Sequence, residues 1–147
     1  AIEGRFLGLP TVAISLVSDH ASEINYFETA ARVAHEIVKR ILERPLDSSM
    51  ILNVNVPNRP YDELKGIEVT RLGYRHRSEP VVKSKDPRGR TVYWVGPAGL
   101  GQDAGPGTDF HAVGAGYVSV TPLQIDLTRH GAIAALGRWL EGDGPGS

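Results

Sequence analysis

The sequence predicts an α/β fold in which helices pack on a largely parallel sheet. Two short runs of apolar and β-branched residues, 11–17 and 50–56, have the pattern of central parallel strands that are buried on both faces. Between them, apolar residues recur at three- and four-residue steps from 23 to 43, which predicts an amphipathic helix. A strand, a helix and a strand in this order predict a right-handed crossover within one sheet.

Residues on either side of this unit extend the pattern. Residues 5–8 are typical of a helix end that is closed by Gly8 and stopped by Pro10. After the second strand, Pro57 and Pro60 mark a turn, and residues 66–72 predict a further strand.

The second half of the chain predicts a projecting β-hairpin and a return to the core. Two strand-like runs, 79–83 and 91–95, flank residues 86–89, whose sequence is typical of a reverse turn. Residues 97–107 are rich in glycine and predict a loop. A returning strand is predicted at 112–121, and an amphipathic helix at 131–140 followed by a frayed tail.

Composition and charge restrict the classes of function. The 147 residues have an apolar content of 41%, which is ordinary for a globular domain, and a formal net charge of −1, which provides no overall attraction to nucleic acid. Because the chain has no cysteine, disulfides, thiolate zinc sites and cysteine nucleophiles are excluded. No run of about eighteen apolar residues exists, so no membrane partner is expected.

Two groups of charged side chains could carry chemistry. Asp103, Asp109 and His111 lie in or beside the glycine-rich loop, but their spacing matches no compact chelate, and Asp109 is expected to accept backbone N–H bonds as a turn former. Asp126 and His130 are one helical turn apart. We interpret them as a local ion pair near the start of the last helix rather than as a catalytic dyad.

Further polar patterns are less specific. Residues 71–90 contain seven Lys or Arg and two acids, a net charge of +5, which fits a solvated edge or a phosphate-attracting rim better than nucleic-acid recognition. Asn53 alternates with apolar residues along the second strand and could contact a ligand at a sheet edge. A serine hydrolase is disfavoured, because there is no Gly-x-Ser-x-Gly elbow and Ser119 falls inside a strand.

Four segments, in order, resemble one known family. They are residues 1–16 (AIEGRFLGLPTVAISL), 51–57 (ILNVNVP), 88–97 (RGRTVYWVGP) and 105–128 (GPGTDFHAVGAGYVSVTPLQIDLT). Together they are similar to the C-terminal half of the SurE (survival protein E) family, whose members are metal-dependent nucleotidases. The family's opening strand, which ends in an Asn-Asp-Asp-Gly run, has no counterpart here.

This resemblance implies a fold and an organisation. It implies a three-layer α/β/α sandwich, Rossmann-like and missing its N-terminal part, with a projecting hairpin and a C-terminal strand-helix segment that is swapped between subunits. We expect 1–72 to be the C-terminal part of the core, 73–111 the hairpin and glycine-rich loop used for oligomerisation, and 112–147 the returning strand, helix and tail.

The resemblance also implies a chemistry. A divalent cation, Mg²⁺ or Mn²⁺, would be held by residues outside this segment and would activate water for attack on a nucleoside monophosphate. The segment alone is therefore expected to contain no catalytic residue and to be inactive. Thr108, Asp109 and Asn53 are candidate substrate-binding residues. The absence of cysteine suits a reducing compartment, and a cytoplasmic location is expected.

Assembly is the last implication. The resemblance implies a dimer or tetramer in which Tyr93 and Trp94 lie in subunit contacts and Asp126 and His130 act at a hinge. An isolated hairpin is marginal in water, which agrees with such a role. The alternative is a non-catalytic oligomerisation or binding module derived from the same family.

Overall fold

The computed structural model describes residues 1–18, 23–76, 81–96 and 99–142, with Arg5 described by its backbone. Arg77 and Glu79 of the basic stretch, Pro97 of the glycine-rich loop and the tail at 143–147 lie outside the described residues. Helices separate the first strands and flank the last strand, while the strands between residues 51 and 103 follow one another without an intervening α-helix; 3-10 turns lie at Tyr61–Glu63 and His130–Ala132. The helices and strands are α1 Ile2–Arg5, β1 Thr11–Val17, α2 Phe27–Glu43, β2 Ile51–Pro57, β3 Ile67–Val69, β4 Tyr74–Arg75, β5 Val82–Lys85, β6 Thr91–Trp94, β7 Gly101–Asp103, α3 Asp109–Ala115, β8 Val118–Leu123 and α4 Ile133–Glu141.

A four-stranded sheet in the order β1-β2-β8-β3 forms the centre of the fold. β1 and β2 are parallel, with Thr11 opposite Ile51, and α2 connects them. The predicted strand-helix-strand unit is therefore confirmed. β8 is antiparallel to β2, whereas β3 is parallel to β8.

One face of the sheet packs against α2 and holds the hydrophobic core. Val54 and Val56 are fully buried, and they pack with Val33 and Ile37 of the helix. The alternation of residues along β2 places Leu52, Val54 and Val56 on this face, while the helical spacing of Val33 and Ile37 places both on the same side of α2. Burying each of these side chains stabilises the fold by about 1.5–3 kcal/mol.

The opposite face of the sheet is polar, and α3 contacts it at β2 and β8. Ser119 and Thr121 of β8 are buried there. The Oγ1 atom of Thr70 lies 2.8 Å from the Ser119 hydroxyl and 2.6 Å from that of Thr121, so the buried hydroxyl groups satisfy one another. α2, the sheet and α3 thus form three layers, in agreement with the predicted α/β/α sandwich.

Two predicted elements differ from the structure. The strand predicted at 112–121 is wrong for its first part, because Asp109–Ala115 is a helix and the strand begins only at Val118. Thr108 caps the start of this helix by accepting a hydrogen bond from the His111 amide, and Gly116 ends it with a φ of 96°. The predicted boundary between residues 111 and 112 therefore falls inside α3. The long helix predicted from residue 23 begins at Phe27.

Smaller differences concern strands. β1 was expected to be central and buried on both faces, but it lies at the edge of the sheet that the described residues form, and it is mostly half-buried. Within the predicted glycine-rich loop, Gly101–Asp103 pairs with Tyr74–Arg75 as a short antiparallel ladder. The predicted helix end near Gly8 is confirmed, since α1 ends at Arg5 and Gly8 has a φ of 75°. No helix in the described ranges is long and apolar enough to cross a membrane.

Candidate functional site

The direction of the strands determines which candidate residues can meet. β1 and β2 run the same way, so their carboxyl ends lie together at Val17 and Pro57. In open α/β sheets, ligands bind outside the carboxyl ends of the strands. Asn58 joins the loops at this edge: its side-chain oxygen accepts a hydrogen bond from the Tyr26 amide at 2.9 Å, and its amide group donates to the Ile24 carbonyl at 2.8 Å.

Asn53 lies further back, in the middle of β2, on the polar face of the sheet. It is half-buried and stands between Ala13 of β1 and Thr121 of β8. Among the residues that the structure describes, none forms a hydrogen bond with its side-chain amide. The amide can therefore accept a polar partner, and its role in substrate binding stays a prediction.

Thr108 and Asp109 lie at a different place, beside the end of β3. Residues 73–107, here called the arm, leave the core after Arg71 and return to it at Thr108. Arg71 and Thr108 form a parallel β-bridge. Because β3 runs with β8 and against β2, this bridge lies at the edge of the sheet opposite the carboxyl ends of β1 and β2. The structure therefore does not bring Thr108 or Asp109 to that edge, and a substrate role for them stays a prediction.

A compact set of contacts, here called the arm root, fixes the arm to the core. It consists of Arg71, Gly73, Asp103, Asp109 and Phe110. Arg71 forms a two-pronged ion pair with Asp103, in which Nη2 lies 2.9 Å from Oδ1. The Asp109 carboxylate accepts hydrogen bonds from the amides of Gly73 at 2.8 Å and Phe110 at 3.0 Å, which confirms the turn-forming role predicted for it.

Electrostatics at the arm root follow from this pairing. The hydrogen bond from Arg71 lowers the pKa of Asp103, and the same bond raises the pKa of Arg71. Both groups therefore stay charged around neutral pH. Thr108 is fully buried, and its hydroxyl donates to the Gly105 carbonyl at 2.7 Å. The arm root is thus a structural joint in which Arg71 and Asp103 pair with each other and the Asp109 carboxylate binds backbone amides.

The hairpin predicted within the arm is confirmed. β5 and β6 pair antiparallel, with Val82 opposite Trp94 and Lys83 opposite Tyr93. The turn is held by Asp86, whose pKa is lowered by hydrogen bonds from Arg90 and then Arg88. Tyr93 is 64% exposed and Trp94 is 65% exposed. These rings provide apolar area that a subunit contact could cover, and that role stays a prediction.

The local pair predicted at Asp126 and His130 is confirmed by geometry. The Nε2 atom of His130 lies 2.6 Å from Oδ2 of Asp126, and both side chains are exposed. Hydrogen bonding from Thr128, followed by the contact with His130, lowers the pKa of Asp126 to about 2. Asp126 precedes the final helix, and the predicted hinge role of the pair stays a prediction. The apolar side chains of that helix are all more than half exposed: Ile133, Leu136, Trp139 and Leu140.

The part of the chain that the structure describes contains no candidate metal centre. Within residues 1–18, 23–76, 81–96 and 99–142, no group of three His, Asp or Glu side chains is placed to hold a cation. Of the candidates in the glycine-rich loop, Asp103 is paired with Arg71, Asp109 accepts backbone amides, and His111 is exposed. The expectation that metal ligands lie outside this sequence stays a prediction.

Sequence reasoning missed part of the arm root. Arg71 and Asp103 are 32 residues apart, and no local pattern connects them. Gly73 was also missed, although a side chain there would overlap the Asp103 carbonyl oxygen and lie 2.5 Å from Cδ2 of Phe110. Gly73 directly precedes β4, and a glycine at the start of a strand is only a weak signal for such a close approach.

Comparisons with known proteins agree on one family. The family model described as "Survival protein SurE" matches residues 1–79. The chain is 58% identical over 141 residues to a 5'-nucleotidase SurE of Nitrosococcus oceani and 59% identical over 142 residues to one of Stenotrophomonas maltophilia. These matches cover 96% and 97% of this chain, and 55% and 54% of the relatives.

A solved structure gives the same result. The crystal structure of the SurE protein from Aquifex aeolicus superimposes with a TM-score of 0.74 at 44% sequence identity. It covers 96% of this chain, which corresponds to 55% of the Aquifex chain. The chain thus spans about half the length of the relatives it matches. On these similarities of sequence and of structure, the chain belongs to the SurE family of survival proteins.

Proposed function

We propose that the protein is a nucleoside-monophosphate phosphohydrolase, a 5'/3'-nucleotidase that releases nucleoside and phosphate. The observation that carries this proposal is the 58–59% identity, over nearly the whole chain, to relatives named 5'-nucleotidase SurE. The parallel strands β1 and β2 agree with it, since their carboxyl ends form the kind of edge at which α/β enzymes bind ligands.

The chemistry is proposed to depend on a divalent cation, Mg²⁺ or Mn²⁺, that is held by residues outside this sequence. Several described acids form ion pairs at the arm root, in the hairpin turn and at the Asp126–His130 pair. Within the described residues, no three His, Asp or Glu side chains are close enough together to bind one cation. The proposed contribution of this chain to the reaction is support: it builds the sheet β1-β2-β8-β3 and offers the Asn53 amide, which has no hydrogen-bond partner among the described residues. A cytoplasmic location is part of the same proposal.

Assembly into a dimer or tetramer is a further part of the proposal. Two exposed apolar surfaces support it, one on the hairpin at Tyr93 and Trp94 and one on α4 at Leu136 and Trp139. A half-open cavity of about 520 Å³ is lined by apolar residues of α2 and the sheet, among them Ile37, Leu52 and Val120, and also by the charged Arg40, Glu43 and Arg44. Asp126 and His130 precede α4 and are the proposed hinge.

The test is hydrolysis of AMP by the natural protein and by this 147-residue chain. We expect the natural protein to lose phosphate release on chelation and to recover it when Mg²⁺ or Mn²⁺ is restored, because the proposed metal would be essential. The short chain should release no phosphate under either condition. Full activity after exhaustive chelation contradicts the metal proposal, and metal-dependent activity of the purified short chain contradicts the placement of the ligands outside it.

The second candidate function is a non-catalytic oligomerisation or binding module. The absence of a metal-holding group among the described residues favours it for this segment taken by itself. A natural protein that assembles normally but hydrolyses no nucleoside monophosphate with any divalent cation supports this candidate.

A further inference from the structure

Arg59 occupies a fixed position at the carboxyl edge of the sheet, two residues after the end of β2. Its backbone amide donates a hydrogen bond to the Pro57 carbonyl at 2.9 Å. Its own carbonyl accepts a hydrogen bond from the Thr29 hydroxyl of α2, also at 2.9 Å. Thr29 is buried, so the backbone of Arg59 is anchored between the strand end and the first turn of the helix.

The side chain of Arg59 is positioned by packing against a glycine. Gly116, the residue that ends α3, is buried and has a φ of 96°. A Cβ atom added at Gly116 would lie 2.6 Å from Nη1 of Arg59. The guanidinium therefore occupies space that exists because residue 116 has no side chain.

Arg59 is half-buried, and its guanidinium lacks an acceptor among the described residues. The four ion pairs that the structure describes do not include Arg59, and its neighbours along the chain, Asp62 and Glu63, are not within 4.0 Å of it. No described group accepts a hydrogen bond from its five N–H donors. Partial burial of a charge without a partner is unfavourable, so the arrangement favours an anion that supplies the missing acceptors.

A second cationic residue, Lys65, contacts the same glycine through its backbone. The amide of Lys65 donates to the Gly116 carbonyl at 3.0 Å, and its ammonium group lies 5.9 Å from the ring centroid of Tyr117. Lys65 is exposed, and the described residues place no acid in contact with it. The region around Gly116 therefore contains the Arg59 guanidinium and the backbone of a second cationic residue whose ammonium group lies near Tyr117, at the edge of the sheet where α/β proteins bind ligands.

From this geometry we propose that Arg59, assisted by Lys65, binds a phosphate-type oxyanion beside Gly116. A guanidinium presents its donors in a planar fork that matches two oxygens of a phosphoryl group, whereas an ammonium adds a point charge. The ligand is the phosphate group of a nucleotide or free inorganic phosphate, which have this chemistry in common. The site lies wholly within this chain, so it does not depend on the proposed metal centre.

The test uses the natural protein labelled with ¹⁵N and follows the amide signals of Gly116 and Tyr117. Titration with inorganic phosphate, and separately with AMP, is expected to shift both signals, since they adjoin the proposed site. The variant Arg59→Gln should weaken binding by about tenfold to a hundredfold, the range for losing hydrogen bonds to a charged group. The affinity of the Arg59→Lys variant should lie between those of the unaltered protein and Arg59→Gln. The matched control is Arg88→Gln, which removes the same charge from the exposed hairpin turn.

Each outcome decides the proposal. Equal weakening of phosphate and AMP identifies the free anion as a sufficient ligand, and weakening of AMP alone identifies the nucleotide. Signals that stay in place for both ligands in the unaltered protein overturn the proposal, as does Arg59→Gln with wild-type affinity. Because these signals report on Gly116 rather than on hydrolysis, a failure here is separate from a failure of the nucleotidase proposal.

Discussion

Replacing Gly73 with Ala tests the arm root most directly. The added Cβ would overlap the Asp103 carbonyl oxygen and lie 2.5 Å from Cδ2 of Phe110, both closer than any ordinary contact. Gly73 does not have a positive φ, so the backbone itself tolerates alanine. The whole effect is therefore steric, and it also separates the Gly73 amide from the Asp109 carboxylate, now 2.8 Å apart.

The size of the effect follows from these two losses. Overpacking costs about 1–3 kcal/mol. A hydrogen bond to a charged group contributes about 1.5–3 kcal/mol. We expect the arm root to open more easily by about 2.5–6 kcal/mol, which is a factor of at least about 70 in the opening equilibrium.

Hydrogen exchange measures this opening at two amides. The Arg71 amide donates to Gly107 and the Asp109 amide donates to Arg71, each at 3.0 Å, so both exchange when the arm root opens. The matched control is Gly105→Ala, since nothing lies within 4 Å of a Cβ at that position and its φ is not positive. Equal exchange rates in the two variants would refute the steric reasoning.

Two further predictions concern assembly and titration. Changing Tyr93 and Trp94 together to Ser should lower the sedimentation coefficient of the natural protein, because their rings are about two-thirds exposed and provide the apolar area of the proposed subunit contact. The control is Leu100→Ser, at an 82% exposed loop position. An unchanged sedimentation coefficient for the double variant counts against the hairpin contact. The Asp126 carboxyl should titrate near pH 2 by NMR, so any stability it contributes is fully present above its ordinary pKa of 3.8 and is lost as the pH falls through about 2. His130→Ala should raise that pKa only in part, since hydrogen bonding from Thr128 is the larger cause, and a titration near pH 3.8 in the unaltered protein contradicts the contact.

Local patterns were enough to predict the parts of the fold that local physics decides. The β1-α2-β2 unit follows from strand and helix periodicities, and the hairpin follows from the turn chemistry around Asp86. The error at 112–121 arose because small and apolar residues fit either a strand or a short helix. The cap at Thr108 and the left-handed φ at Gly116 decide in favour of the helix.

The candidate site was less predictable, because its contacts join distant parts of the chain. Asp103 finds Arg71 across 32 residues, and the space for the Arg59 side chain is created by a glycine at the end of another helix. Neither relation leaves a periodic pattern. The edge at which Thr108 and Asp109 lie depends on β3 running parallel to β8, and a sequence does not display strand direction.

The bridge between Arg71 and Thr108 means that the arm starts and finishes at the same point of the core. The length and sequence of such an insertion can change while its attachment to the core stays the same. Each halving of the arm's length lowers the entropy cost of closing it by only about 0.6 kcal/mol. Changes in the length or surface residues of the arm therefore have little effect on the free energy of unfolding. Surfaces on the arm can diverge faster in evolution than the sheet.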